Sequence, residues 1–174
     1  MIVYLQSTPT ASFDALALVL RPATPDDDTF LLKLYATTRE DELALTAWDN
    51  AAKDAFVRIQ YAAQKSHYAQ HYPGALHSVV LAGDEPIGMT WVASWPTEIR
   101  IMDMAMLPEW RNRGIGTQLV RRVLNHAAAL HVPVSAHVWN GNLRASRLYA
   151  RLGFASVHDD GAYTRMECPL PAHP

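Results

Sequence analysis

One cysteine, Cys168, in 174 residues leaves no internal disulfide and no cysteine-based zinc cluster. The thiol is expected to pack within a final strand rather than to act as a nucleophile. No sign of charge dominates: 15 Lys and Arg against 17 Asp and Glu give a formal net charge of -2. Without a basic field, wholesale binding of nucleic acid by phosphate neutralisation is excluded, and any anion site must be local. Long apolar runs are also missing, none reaching the roughly 20 residues that span a bilayer. The start, "MIVYLQSTPTASF", lacks the basic segment of a secretory leader. There is no internal repeat, and the eight histidines show no metal-ligand spacing, so no metal is expected. The expectation is a cytoplasmic protein without nucleic-acid or membrane partners.

What is present is a chain 49% apolar, enough for a single full core. One domain is expected over residues 15–170. Residues 1–14 form an N-terminal extension, "MIVYLQ" reading as an extra strand and "STPTAS" as a loop. "ALALVLRP" reads as a strand closed by Pro22. In "TPDDDTFLLKLYATTRE", Thr24 caps a helix with Pro25 at its first position and acids in its first turn. A second helix is predicted over 49–70, with Ala52, Phe56, Ile59 and Ala63 on its apolar face. "LHSVVLAGDEPIGMTWVASW" reads as two strands around a turn, and "EIRIMDMAML" as a third ending at Pro108.

After Pro108 comes "PEWRNRGIGTQLV". Gly114 and Gly116 sit where a helix begins, a place at which glycine costs backbone entropy, so the main chain must approach something closely or turn in a way other residues avoid. Arg111 and Arg113 beside them point to an anion. From Ile115 the apolar positions Leu119, Val120, Val123, Leu124, Ala127 and Ala128 form a helical stripe. "HVPVSAHVW" then reads as a strand with Val132, Val134, Ala136 and Val138 on one face. Strand, glycine loop, helix, strand is a crossover unit, which makes its two strands parallel neighbours and aims the helix N-terminus at a phosphate. A P-loop needs Lys and Ser or Thr after its glycines, whereas Thr117 and Gln118 follow Gly116. A dinucleotide fingerprint fails as well, with Leu at 119 and no acid near 136.

Arg111, Gly114 and Gly116 fit the pattern Arg/Gln-x-x-Gly-x-Gly/Ala, and "NGNLRASRLYARLGF" adds Asn142, Ala145, Leu148, Tyr149, Gly153 and Phe154. Together these stretches resemble the two motifs of the GCN5-related N-acetyltransferases (GNAT). The resemblance covers about residues 17–168 and is specific between about 98 and 154. It implies an α/β fold with a mixed, mostly antiparallel sheet, a central splayed parallel strand pair and about four flanking helices. It also implies acetyl-CoA as the acyl donor, with an amine of a small molecule or peptide as acceptor and a homodimer left open. By that likeness the cofactor contacts are Met104, Ala105 and Met106 on the first strand, the loop Arg111, Asn112, Arg113, Gly114, Ile115, Gly116 and Thr117, and Asn142, Ser146 and Tyr149 beyond.

The chemistry can be read beside the likeness. Asn142 is a natural N-cap for a short helix that Gly153 ends, with Tyr149 two turns in. Aminolysis of a thioester needs a neutral amine, donors for the oxyanion and a proton for the departing thiolate. A phenol, with a pKa near 10 against about 8.5 for a thiol, can share that proton, so Tyr149 is the expected acid. Asp103 and Glu98 are the candidate bases. Their odd separation sets them on opposite faces of one predicted strand, and Asp103, among methionines, is preferred. His137 is read either as lining the site or as structural. By the likeness, the first two helices and their connection wall the acceptor site, here "TTREDELALTAWDNAAKD" with Tyr61, Tyr68 and Tyr72 nearby; Glu40, Asp41 and Glu42 are read either as a solvated helix end or as attracting a cationic amine.

Overall fold

The structure is a computed structural model that describes residues 17–169; the predicted extension at 1–14 lies outside them. Seven strands hydrogen-bond in the order β1-β2-β3-β4-β5-β7-β6. They are β1 (Leu18–Pro22), β2 (Leu76–Ala82), β3 (Glu85–Ser94), β4 (Ile99–Met106), β5 (Val134–Trp139), β6 (Ala155–Asp159) and β7 (Tyr163–Cys168). The sheet is mostly antiparallel, with β4 and β5 parallel. Five α-helices occur among the described residues: α1 (Asp28–Thr37), α2 (Glu40–Ala44), α3 (Asn50–His71), α4 (Ile115–Leu130) and α5 (Leu143–Arg151).

By its contacts the chain divides into two compact units. One holds described residues 17–90 with 104–111. Here Thr24 and Pro25 open a 3-10 turn, and Thr24 donates its N–H to Asp27 Oδ2 at 2.8 Å. Leu31 and Leu34 of α1 bury against Val79, Met89, Ala105 and Leu107. A second cluster joins Tyr35 and Leu43 to Val57 of α3, with Phe56 and Tyr61 beside it. The buried stripe of α3 is therefore rotated from the predicted one, and Ile59 is 66% exposed. The alanines of that helix give little apolar contrast, whereas Tyr61 packs its ring 5.6 Å from that of Tyr35 and buries its hydroxyl.

The other unit holds 91–103 with 112–169. The apolar stripe of α4 buries Ile115, Leu119, Val120 and Ala127, with Val123 and Leu124 half-buried and the predicted Ala128 exposed, and β5 buries Val134, Ala136 and Val138 on one face, as the periodicity predicts. Strand β6 follows α5 and is exposed along its whole length.

Candidate functional site

Strand β4 runs into a single 3-10 turn, Pro108–Trp110, closed by the Arg111 N–H on the Pro108 carbonyl at 3.1 Å. Asn112 (φ 63) and Gly114 (φ 77) then take left-handed backbone angles on either side of Arg113. Such alternation gathers successive N–H groups into a concave donor set that suits an anion. The first hydrogen bond of α4 runs from Gln118 N–H to the Gly114 carbonyl at 3.1 Å, so Ile115, Gly116 and Thr117 contribute the helix's orphan donors, backed by its dipole. A Cβ at Gly114 would meet nothing within 4 Å, so this turn opens outward.

The guanidinium of Arg111 does not join this donor set. Its Nε donates to the Met106 carbonyl at 2.9 Å, and Nη2 donates to the carbonyl and Oγ1 of Thr37 at 3.2 and 2.8 Å. Thr37 is the last residue of α1, and a cation is favoured at a helix C-terminus. Arg111 thus fastens the end of β4 to the end of α1, and Arg113 is the loop arginine whose side chain is exposed.

Pairing between β4 and β5 registers Ile99 with Val134, Arg100 with Ser135 and Ile101 with Ala136, and ends there although both strands continue. The predicted cofactor strand, Met104 to Met106, lies beyond that last pair. Ala105 and Met106 are buried, and Gly88 of β3 makes room for them: a Cβ on Gly88 would overlap Met106 Sδ and the Ala105 carbonyl.

Helix α5 forms as its sequence dictates. Asn142 Oδ1 accepts the Ala145 N–H at 3.0 Å, and Ser146 Oγ donates to the Asn142 carbonyl at 3.2 Å. At the other end Gly153 (φ 91) donates to the Ala150 carbonyl and Phe154 to that of Tyr149, the two bonds of a Schellman cap. Between these ends Tyr149 is 6% exposed, its ring 5.0 Å from that of Phe154. Burial, and secondarily the negative charge of Asp103, push the phenol well above its ordinary pKa. Two of the three predicted catalytic residues, Tyr149 and Asp103, are therefore close enough for one to feel the other's charge.

The third, Glu98, is elsewhere. It precedes β4 rather than sharing the strand with Asp103. Its carboxylate accepts from Ser135 Oγ at 2.7 Å, pairs with Arg100, and takes Arg165 Nη2 at 3.3 Å. Burial works to raise its pKa, but the Ser135 hydroxyl and the arginine charges outweigh it and hold Glu98 below the usual carboxylate value. A carboxylate so engaged is a poor proton acceptor. Ser135, 1% exposed, shows no sequence signal of this role, because a serine inside an apolar strand reads as filler. His137 is exposed and cross-strand from Arg165, and burial of its surroundings with the Arg100 and Arg165 charges lowers its pKa.

In the expected acceptor region, Glu40, Asp41 and Glu42 are exposed on α2, with Arg39 Nη1 3.5 Å from Glu42. No group of three or more metal-ligating side chains occurs among the described residues, and no described helix is long and apolar enough to cross a membrane.

No curated protein matches the sequence. Among solved structures, the PaiA N-acetyltransferase of Thermoplasma acidophilum, in complex with coenzyme A, is 16% identical with a TM-score of 0.68, over 88% of this chain and 99% of that one. An acetyltransferase of Thermus thermophilus is 22% identical with a TM-score of 0.66, over 89% and 98%. A GNAT family acetyltransferase of Elizabethkingia anophelis with acetyl-CoA bound is 16% identical with a TM-score of 0.56, over 88% and 98%. These likenesses carry the fold. The model of the acetyltransferase (GNAT) family matches residues 34–154, from α1 through the glycine loop to the cap of α5, and by that match the chain belongs to the GNAT acetyltransferases.

Proposed function

We propose that this protein is an N-acetyltransferase that moves the acetyl group of acetyl-CoA to a primary amine of a small molecule or peptide, by direct transfer in a ternary complex. The observation that carries this reading is the loop between β4 and α4. Two left-handed residues and three orphan N–H groups form a concave donor set that suits an anion such as a pyrophosphate, with open space outside Gly114. The pantetheine arm would take main-chain groups of Met104 to Met106, which continue past the last β4–β5 pair. Arg113 adds a cation to the phosphates.

The transfer follows from the buried phenol. A neutral amine attacks the thioester carbonyl, the tetrahedral intermediate collapses, and negative charge develops on the departing sulfur. Tyr149 is the donor for that charge. Its raised pKa keeps the proton on the phenol throughout the neutral range, so it stabilises the thiolate as a hydrogen-bond donor and shares the proton rather than surrendering it early. Asp103, near enough for its charge to act on this phenol, is the group we assign to take the amine's proton.

The test is release of CoA thiol from acetyl-CoA with a panel of polyamines, amino acids, N-terminal peptides and aminoglycosides, alongside calorimetric titration with CoA. Binding with turnover of at least one amine is expected. Tight binding without turnover of any amine would make the protein an acyl-CoA-binding sensor, and turnover of alcohols alone would make it an O-acyltransferase. Absence of CoA binding would remove the loop assignment.

A further inference from the structure

The last turn of α3 carries His67 and His71, four residues apart and both exposed. That spacing sets two side chains on one helix face, one turn apart. Their rings stack with centroids 4.2 Å apart and planes at 28°. A second observation bears on which ring nitrogen is available. His71 Nδ1 lies 2.9 Å from the His67 carbonyl, an acceptor only, so Nδ1 is the protonated nitrogen and donates to it. The hydrogen bond leaves Nε2 of His71 with its lone pair, the tautomer that metal-binding histidines adopt when a carbonyl orients them.

We infer that His67 and His71 form a two-histidine chelate for a divalent transition-metal ion on the last turn of α3. Metal–imidazole bonds of about 2.0–2.1 Å require the two ligating nitrogens to approach about 3 Å, so binding would turn the His67 ring out of the stack. Water would complete the coordination, since no third His, Cys, Asp or Glu is grouped with this pair among the described residues. Neutral nitrogen ligands with open water positions favour copper over zinc, following the general order of affinities for divalent ions. The ion would clip the end of α3 just before the Pro73–Gly74 turn that leads to β2. Such a site departs from the expectation of no metal drawn from the histidine spacing, in which a single pair four residues apart does not make a closed metal set.

The experiment titrates the untagged full chain with Cu2+ by calorimetry and follows the ion by electron paramagnetic resonance. The comparison proteins are His67→Gln and His71→Gln; both positions are exposed, so the fold should survive and can be verified by circular dichroism. One tight equivalent is expected, with a nitrogen-ligated copper spectrum, an upward shift in melting temperature, and an affinity at least about tenfold weaker in either variant, because each converts a chelate to a single ligand. Binding of equal affinity and stoichiometry in wild type and both variants would overturn the assignment, as would no binding at millimolar ion. Acetyl transfer is not the readout, so the outcome stands apart from the proposed activity.

Discussion

Burial and the charge of Asp103 act on Tyr149 in the same direction, and their combination defines what this one side chain can do. An ordinary phenol at about 10 already lies above a thiol at about 8.5, and the raised value here widens the gap, so complete transfer of the proton to a thiolate is uphill. Stabilisation of the developing charge remains available, because a preorganised donor in a buried site need not reorganise during the reaction. Tyr149→Phe keeps the ring against Phe154 and removes the donor. CoA affinity should remain within a few-fold, and kcat should fall at least about tenfold, a bound set below the roughly 100-fold to 10,000-fold typical of general acids because a water can partly substitute. Steady-state thiol release with any accepted amine, beside CoA titration, separates the two. Undiminished kcat would make the tyrosine a packing residue only, and lost CoA binding would make it a wall of the cofactor site.

Among elements, the loop before α4 is where conformation and ligand can be separated by substitution. Gly114 has φ 77, a region where side chains other than glycine and asparagine are strained by about 1 kcal/mol, yet space outside it is open. Gly114→Asn tolerates the angle and adds no charge, whereas Gly114→Glu adds strain and a negative charge beside the donor set. The expected order of CoA affinity is wild type, then Asn within about tenfold, then Glu weaker by at least about 100-fold, measured by calorimetry. Equal affinity in wild type and the Glu variant would mean that the phosphates lie elsewhere. This loop is legible in the sequence because glycines at a helix start have few other uses, and the stripe of α4, the cap at Asn142 and the stop at Gly153 are legible for equally local reasons. What is not legible is set by distance or by weak contrast. Arg111 reaches Thr37 across 74 positions, so no local pattern reveals that its guanidinium serves the main chain. Strand β6, exposed at every position, carries no apolar alternation, and the five-residue α2 is too short for a helical period to show. Parity puts Glu98 on the strand, but β4 begins one residue later and the carboxylate turns to arginines that only the sheet brings together.

For the whole molecule, the perturbed groups set a stability profile with two acid steps and one alkaline limb. His77 is pushed down to about 4, chiefly by burial and then by the charge of Lys65. Its unfolded value is about 6.5, so the unfolded chain binds a proton that the folded chain refuses between those two values. The contribution of neutral His77 is therefore fully present above pH 6.5 and is lost as pH falls toward 4. His126 and His137 are shifted down as well and act in the same sense. Asp27 enters lower still. Arg21 grips its carboxylate with two bonds of 2.7 and 2.6 Å, and Thr24 adds its N–H, which holds the pKa well below the ordinary range. Its stabilisation is present above about 3.8 and goes as pH drops through the folded value. On the alkaline side Tyr61 is pushed up to about 12, by burial first and the Asp28 charge next, so its contribution holds below pH 10 and disappears as pH climbs through 12. Burial also raises the Cys168 thiol above its ordinary value of about 9, so a stability plateau between about pH 6.5 and 9 is expected, with the first decline on acidification arising from histidines. His77→Gln isolates the largest of these: the variant should lose less stability between pH 7 and pH 4.5 than wild type, whatever its absolute stability at pH 7. Urea unfolding at several pH values, read as the slope of stability against pH, decides it. The slope should be shallower by up to one proton in the variant, and identical slopes would show that His77 titrates in the folded protein as it does in the unfolded chain.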